Sequence, residues 1–216
     1  MTGVQTCALP IFLIAAPVLT GASHPAPPHP PALDEAERAA LDAISARLNE
    51  LGTLKGEFTQ INPDGSTSEG TFFISKPGKM RFEYKPPTPT LIVADGATVA
   101  VANTKLNTVD RYPLSETPLG LVLGNDVDLK NDTALVSIER QQGAIVIGAR
   151  TNANMSRANI SLVFTDPGYE LRQWTVIDNQ GLTTTVALRD LVAGAVLPPS
   201  LFLLPDKNPF ARRPQE

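Results

Sequence analysis

The chain has 216 residues, 42% of them hydrophobic and 19% charged, with a formal net charge of −4. That balance supports a packed core and excludes disorder as the main state, while scattered Lys and Arg leave no basic face for nucleic acid. No run of about 18 apolar residues occurs, so no membrane-spanning helix is expected.

The segment Met1–Ile11 reads as the translation of a sequencing-adapter oligonucleotide and is set aside, together with Cys7, the only cysteine. Phe12–Ala22 resembles the apolar core and cleavage region of a secretory signal peptide, with Thr20 and Ala22 as the small residues at the cut. Ser23–Pro31 holds five prolines and both histidines, His24 and His29, and reads as a linker. The expected organisation is therefore a leader over 1–31 and one domain over 32–216, exported to a bacterial periplasm. A lipid anchor needs a cysteine just after the apolar run, and none is there, so the mature protein is expected to be soluble. From Leu33 onward there is neither histidine nor cysteine. Such a region cannot build a Ser-His or Cys-His relay or a conventional zinc site, so no catalytic residue, metal or cofactor is expected.

Leu33–Leu51 reads as an amphipathic helix. Leu41, Ile44, Leu48 and Leu51 recur at steps of three and four, Asp34 and Glu37 form a capping pair, and Gly52 marks the stop. From Lys55 the period changes to two: Met80, Phe82 and Tyr84 alternate with Arg81, Glu83 and Lys85, and Ile160, Leu162 and Phe164 with Ser161, Val163 and Thr165. Turn signals at Asp64-Gly65, Pro77-Gly78, Asp95-Gly96, Gln142-Gly143, Asp166-Pro167-Gly168 and Gln180-Gly181 divide the chain into about ten or eleven antiparallel strands. One segment interrupts them. Thr117–Gly124 predicts a short apolar helix, with Thr117 as N-cap, Pro118 at the first turn and Gly124 closing it. Leu201–Leu204 predicts a last strand. The fold class is thus mainly β with helices (α+β), a large antiparallel sheet whose apolar face only those two helices are available to cover.

Periodicity alone reads Phe58, Phe72, Ile74, Phe82, Tyr84, Leu91, Val93 and Trp174 as sheet core and wall, and Leu119, Val122 and Leu123 as either a core helix or a lid. By the same reasoning Lys76 is a solvated turn lysine. A hydrolase using the carboxylates of Glu57 and Glu83 has no spacing to support it.

In order along the chain, Gly56-x-Phe58-x-Gln60, Glu69-Gly70-x-Phe72, Lys76-Pro77-Gly78-x-Met80-Arg81-Phe82-x-Tyr84-x-x-Pro87, Asp95-Gly96, Tyr112 and Thr117-Pro118-Leu119 resemble the outer-membrane lipoprotein carrier (LolA-like) family. The resemblance covers about Leu33 to Pro209. It implies an unclosed antiparallel β-barrel with helices plugging its concave side over a hydrophobic cavity. It also implies a monomer that takes acylated lipoproteins from an inner-membrane lipoprotein-releasing transporter to an outer-membrane acceptor lipoprotein. The alternative on the same fold is a carrier or sensor of another lipid. The acyl chains would lie against Phe58, Phe72, Ile74, Phe82, Tyr84, Leu91, Val93, Leu119, Val122, Leu123 and Trp174. The family has arginine where this chain has Lys76, a residue that latches the lid to helix carbonyls. Lysine offers three donors on a point charge in place of a planar fork, so Lys76 is expected to latch less firmly or with help from Arg81.

Overall fold

The computed structural model describes residues 33–131, 134–150, 159–178 and 180–205. The expected adapter-derived start, signal peptide and linker lie outside the described residues. Helix α1 spans Glu35–Glu50, opened by a reciprocal capping box: the Glu37 N–H donates to Asp34 Oδ1 at 2.7 Å and the Asp34 N–H to Glu37 Oε2 at 2.8 Å. Its buried stripe is Ala40, Leu41, Ile44 and Leu48, the three- and four-residue spacing that puts side chains on one helix face.

Eleven strands follow, all in one antiparallel sheet. They are β1 (Thr53–Ile61), β2 (Thr67–Ser75), β3 (Lys79–Tyr84), β4 (Thr90–Asp95), β5 (Thr98–Asn103), β6 (Thr108–Pro113), β7 (Ala134–Gln141), β8 (Ala144–Arg150), β9 (Asn159–Thr165), β10 (Leu171–Ile177) and β11 (Thr183–Ala193). Their order is β6-β5-β4-β3-β2-β1-β11-β10-β9-β8-β7. Two meanders meet where β1 pairs with β11, and β6 and β7 are left as opposite edges, so the sheet is not closed.

The sheet is nevertheless strongly curved. Strands β3 and β10 are four places apart in the order, about 19 Å along a flat sheet. Yet the rings of Phe82 on β3 and Trp174 on β10 have centroids only 5.9 Å apart. Part of the bend has a local cause in the sequence. Across β1 and β2, Gly56 stands opposite Phe72, and Phe58 opposite Gly70. Each ring lies over the glycine facing it: a Cβ on Gly56 would meet the Phe72 ring at 2.9 Å, and one on Gly70 the Phe58 ring at 2.5 Å. Further along, β11 carries a bulge opposite β1 between Lys55 and Glu57, with Asp190 at φ 54. Bulges increase local twist and shift the side-chain phase by one, here keeping Leu188 before the bulge and Leu191 after it on the concave side.

Two expectations are corrected. Leu201–Leu204 is not a strand: Pro199–Phe202 forms a 3-10 turn that packs on the outer face of β3 and β4, with Phe202 buried. Pro198 and Pro199 lack the N–H groups a ladder needs. Nor does Thr117 cap a helix. A 3-10 turn at Leu114–Glu116 precedes it, its hydroxyl donates backward to the Leu114 carbonyl at 2.8 Å, and helix α2 is only Gly120–Leu123.

The glycine–ring pairs make a prediction. Gly70→Ala should lower unfolding stability by about 3 kcal/mol in denaturant titration, since its Cβ would strike both the Phe58 ring and the Glu83 backbone carbonyl. Gly52→Ala, with nothing within 4 Å, should change stability by less than about 0.5 kcal/mol.

Candidate functional site

Because β6 and β7 are opposite edges, the chain between them, described over 114–131, passes from one edge of the sheet toward the other. It does so on the concave side, where Leu114 and Leu123 pack with Phe58, Phe72, Met80 and Phe82, and Val122 packs with α1 and the β8–β9 half. Helix α2 thus sits in the seam between two apolar clusters. Trp174 contacts both. At the centre is Phe82, stacked on Phe72 at 5.5 Å, tilted on Phe58 at 4.7 Å and edge-on to Trp174. Such offset and edge contacts add about 0.5–1.5 kcal/mol each beyond area burial and make the wall stiff.

Two cavities lie along this concave face. The smaller, about 80 Å³, is bounded by Leu48, Leu54, Ile74, Lys76, Val122 and Leu123. The larger, about 250 Å³, is bounded by Phe82, Tyr84, Ile92, Leu119, Trp174 and Val186, among others. Both fall below the roughly 300–1,000 Å³ of ordinary ligand pockets, so a long-chain ligand requires the plug to move.

One turn clasps both helices of the plug. The Lys76 Nζ donates to the Leu48 carbonyl in the last turn of α1 at 2.7 Å, and two residues on the Gly78 N–H donates to the Leu123 carbonyl of α2 at 2.8 Å. A helix C-terminus presents unpaired carbonyls and partial negative charge, so a cation and an N–H donor are suited to it. Gly78 adopts φ 73, which glycine reaches without penalty. Burial pulls the Lys76 ammonium below the usual lysine value, and the nearby Asp126 carboxylate partly opposes that. The charged latch is therefore held at a cost, present at neutral pH and relieved only as pH rises toward 10.5. Beyond α2 the strap is zipped to α1. Asn49 Nδ2 donates to the Val127 carbonyl at 2.9 Å and its Oδ1 accepts from the Val127 N–H at 2.8 Å, Ser45 Oγ accepts from the Leu129 N–H, and Lys130 pairs with Asp42.

The remaining expected site residues divide. Ile74, Lys76, Val122 and Leu123 border the small cavity; Phe82, Tyr84, Leu119 and Trp174 border the large one. Phe58 and Phe72 are fully buried beneath them as floor. Leu91 and Val93 are corrected. They pair with Glu83 and Arg81 on the convex face, and Ile92 and Ala94 point inward with Phe82 and Met80. Arg81 is corrected as a latch: its guanidinium bonds Glu83 Oε1 at 2.6 Å and the Leu201 carbonyl at 3.1 Å, fixing the C-terminal turn outside the sheet. Glu57, paired with Lys85 and Arg189, and Glu83 are engaged in ion pairs on that same outer face. Residues not expected at the site include Gln60 and Met80, which the motifs contained without a role, and Ile92, Thr184 and Val186, all on the large cavity. Strand alternation from Phe82 and Phe58 was the signal available for Met80 and Gln60.

A curved, unclosed sheet whose concave face is covered by a latched helical plug defines a half-barrel built around an apolar interior. The sequence profile of the family described as "Outer membrane lipoprotein carrier protein LolA" matches residues 49–204, and the chain belongs to that family. The outer-membrane lipoprotein carrier protein of Dechloromonas aromatica (strain RCB) is 30% identical over 177 residues, covering 77% of this chain and 84% of that one. The protein of the same name from Coxiella burnetii (strain CbuK_Q154) is 26% identical over 177 residues, covering 77% and 83%. A LolA superfamily crystal structure from Nitrosomonas europaea aligns with a TM-score of 0.41 at 11% identity, over 76% of this chain and 97% of that one.

Two outcomes follow from the site. Lys76→Met should remove a charge-assisted hydrogen bond of about 1–2 kcal/mol after allowance for its half-exposed setting, and hydrogen exchange in the last turn of α1 should quicken accordingly. Burial pushes the Tyr84 phenol up to about 12. A raised tyrosine favours its neutral form in the fold, so its contribution to stability is full below pH 10 and is lost as pH rises through about 12. Phenolate absorbance of the wild type and of Tyr84→Phe should coincide at pH 10 and separate only as pH approaches 12.

Proposed function

We infer that this protein is a carrier that shelters the acyl chains of lipoproteins in its concave interior and moves them across the periplasm from the inner to the outer membrane. Family membership supports this reading, and the single observation that carries it here is the apolar concave face covered by a plug held at the Lys76–Gly78 turn. Each buried CH₂ gains about 0.8 kcal/mol, so an acyl chain of about 14 methylenes gains on the order of 11 kcal/mol by leaving water. Opening the plug breaks two latch hydrogen bonds at about 1–3 kcal/mol each and uncovers a few apolar side chains at about 2 kcal/mol each. The two magnitudes are of the same order, so burial of acyl chains can drive the lid open. The second is still large enough that the resealing plug offsets part of the binding and permits release without a nucleotide.

The exchange partners in this reading are a lipoprotein-releasing transporter in the inner membrane and an acceptor lipoprotein in the outer membrane. Residues 12–22 serve as the export signal, and 32–216 act as one lipoprotein-carrying domain. No helix among the described residues is long and apolar enough to cross a membrane.

Depleting the protein from its host should leave lipoproteins in the inner membrane on density fractionation. Normal sorting, with mass spectrometry of the solvent-extracted protein returning acyl lipids other than lipoproteins, would establish the second lipid-carrier reading in its place. Lys76→Leu should change the rate of lipoprotein hand-off to acceptor liposomes more than about threefold, with a smaller effect on melting.

A further inference from the structure

The two ends of the concave face differ in chemistry. On β1 the inward residues run Leu54, Gly56, Phe58, Gln60; on β3 they run Met80, Phe82, Tyr84; on β11 Leu188 and Val186 are followed, toward the same end, by Thr184. All three strands thus turn from apolar to polar at the end remote from the Lys76 clasp. Gln60, Tyr84 and Thr184 all border the larger cavity.

These groups are organised. Tyr84 Oη donates to Gln60 Oε1 at 2.6 Å, and Gln60 Nε2 donates to Asn62 Oδ1 at 2.6 Å. Asn62 is in turn fixed through Ser66 and Ser68, at 3.0 and 3.2 Å. Nothing in this chain of bonds uses the second N–H of Gln60, and the Thr184 hydroxyl, unlike its backbone, which lies in the β10–β11 ladder, has no hydrogen-bond partner among the described residues. One amide N–H of Gln60 and the Thr184 hydroxyl remain as donors, and the Tyr84 oxygen remains as an acceptor. Fully apolar tails have no use for such groups. Carbonyls do: an acylated head group joins each tail through an ester or amide carbonyl, which needs a donor once water is excluded.

We propose that Gln60, Tyr84 and Thr184 form the subsite for the acyl carbonyls of the bound cargo, so that the tails run inward from there with their methyl ends toward the Lys76 clasp. The assignment rests on the carrier reading and deepens it. It makes Gln60 and Thr184 positioning and specificity residues, selecting acylated over merely alkylated ligands.

The test measures binding of two probes to the full-length protein by fluorescence or calorimetric titration: a synthetic triacylated cysteinyl peptide, and an analogue of equal chain length and charge in which methylenes replace the two ester carbonyls, leaving ethers. Wild type should prefer the acylated probe by about tenfold. Gln60→Leu and Thr184→Val should each lose most of that preference by weakening the acylated probe alone. Thr184→Val, nearly isosteric, keeps the test open if Gln60→Leu does not fold. Equal affinity of wild type for the two probes, or an equal loss for both probes in the variants, would overturn the subsite while leaving the carrier reading intact. Failure of wild type to bind either probe would overturn the carrier reading itself, and this assignment with it.

Discussion

A single antiparallel sheet whose first and last edges are β6 and β7 leaves the chain only two ways between them, over the convex face or over the concave one. Here the connection takes the concave side, and from that constraint the working parts of the molecule follow. The crossing segment has to be apolar because it meets the ring wall of Phe58, Phe72 and Phe82. Being a connection between edges, it is fixed by the sheet at its ends and in its middle by apolar contacts and the Gly78–Leu123 hydrogen bond. It also ends beside α1, whose Asn49 and Ser45 receive it. The convex side needs its own cover, which the Pro199–Phe202 turn supplies, anchored by Arg81 and, through the Pro205 carbonyl, by Arg111.

The contrast between wall and plug has a physical basis. The wall is a sheet stiffened by backbone ladders and interlocked aromatic rings, with glycines admitting the rings at Gly56 and Gly70. The plug is a four-residue helix, a 3-10 turn and short links, too short to be stable alone. Its order comes from apolar contact and from one turn that donates to both helix ends. Elements of low local stability are the ones that move when ligands arrive. In a compartment without ATP, that division lets one surface stay constant while the other exchanges with cargo.

Much of the fold was legible in the chain. The 3.6-residue stripe of α1 and its capping box lie in Asp34–Leu51, and the turn residues at Asp64-Gly65, Pro77-Gly78 and Asp95-Gly96 separate strands that the structure pairs as hairpins. The misplacements have separate causes. Leu91-Ile92-Val93 is apolar throughout because both faces of β4 are covered, so alternation carries no phase there and the inward residue was assigned one position off on each side. Arg81 is close to Lys76 in sequence, but on β3 it alternates with the inward Met80 and Phe82 and so points to the opposite face. The helix signals at Thr117-Pro118 and the strand propensity of Leu201–Leu204 were local preferences that lost to the path the chain must take.

Sequence by itself determined the elements and their periods, because capping, turn chemistry and alternation act within a few residues. It also determined the absence of imidazole and thiol after Leu33, which is a matter of composition. Tertiary structure alone decided which side each strand presents, how far the sheet curls, and that Lys76 and Gly78 reach two helices far apart in the chain. It also set Gln60, Tyr84 and Thr184 around one cavity end. Those facts depend on strand register and on closure between distant strands, and no local preference encodes either.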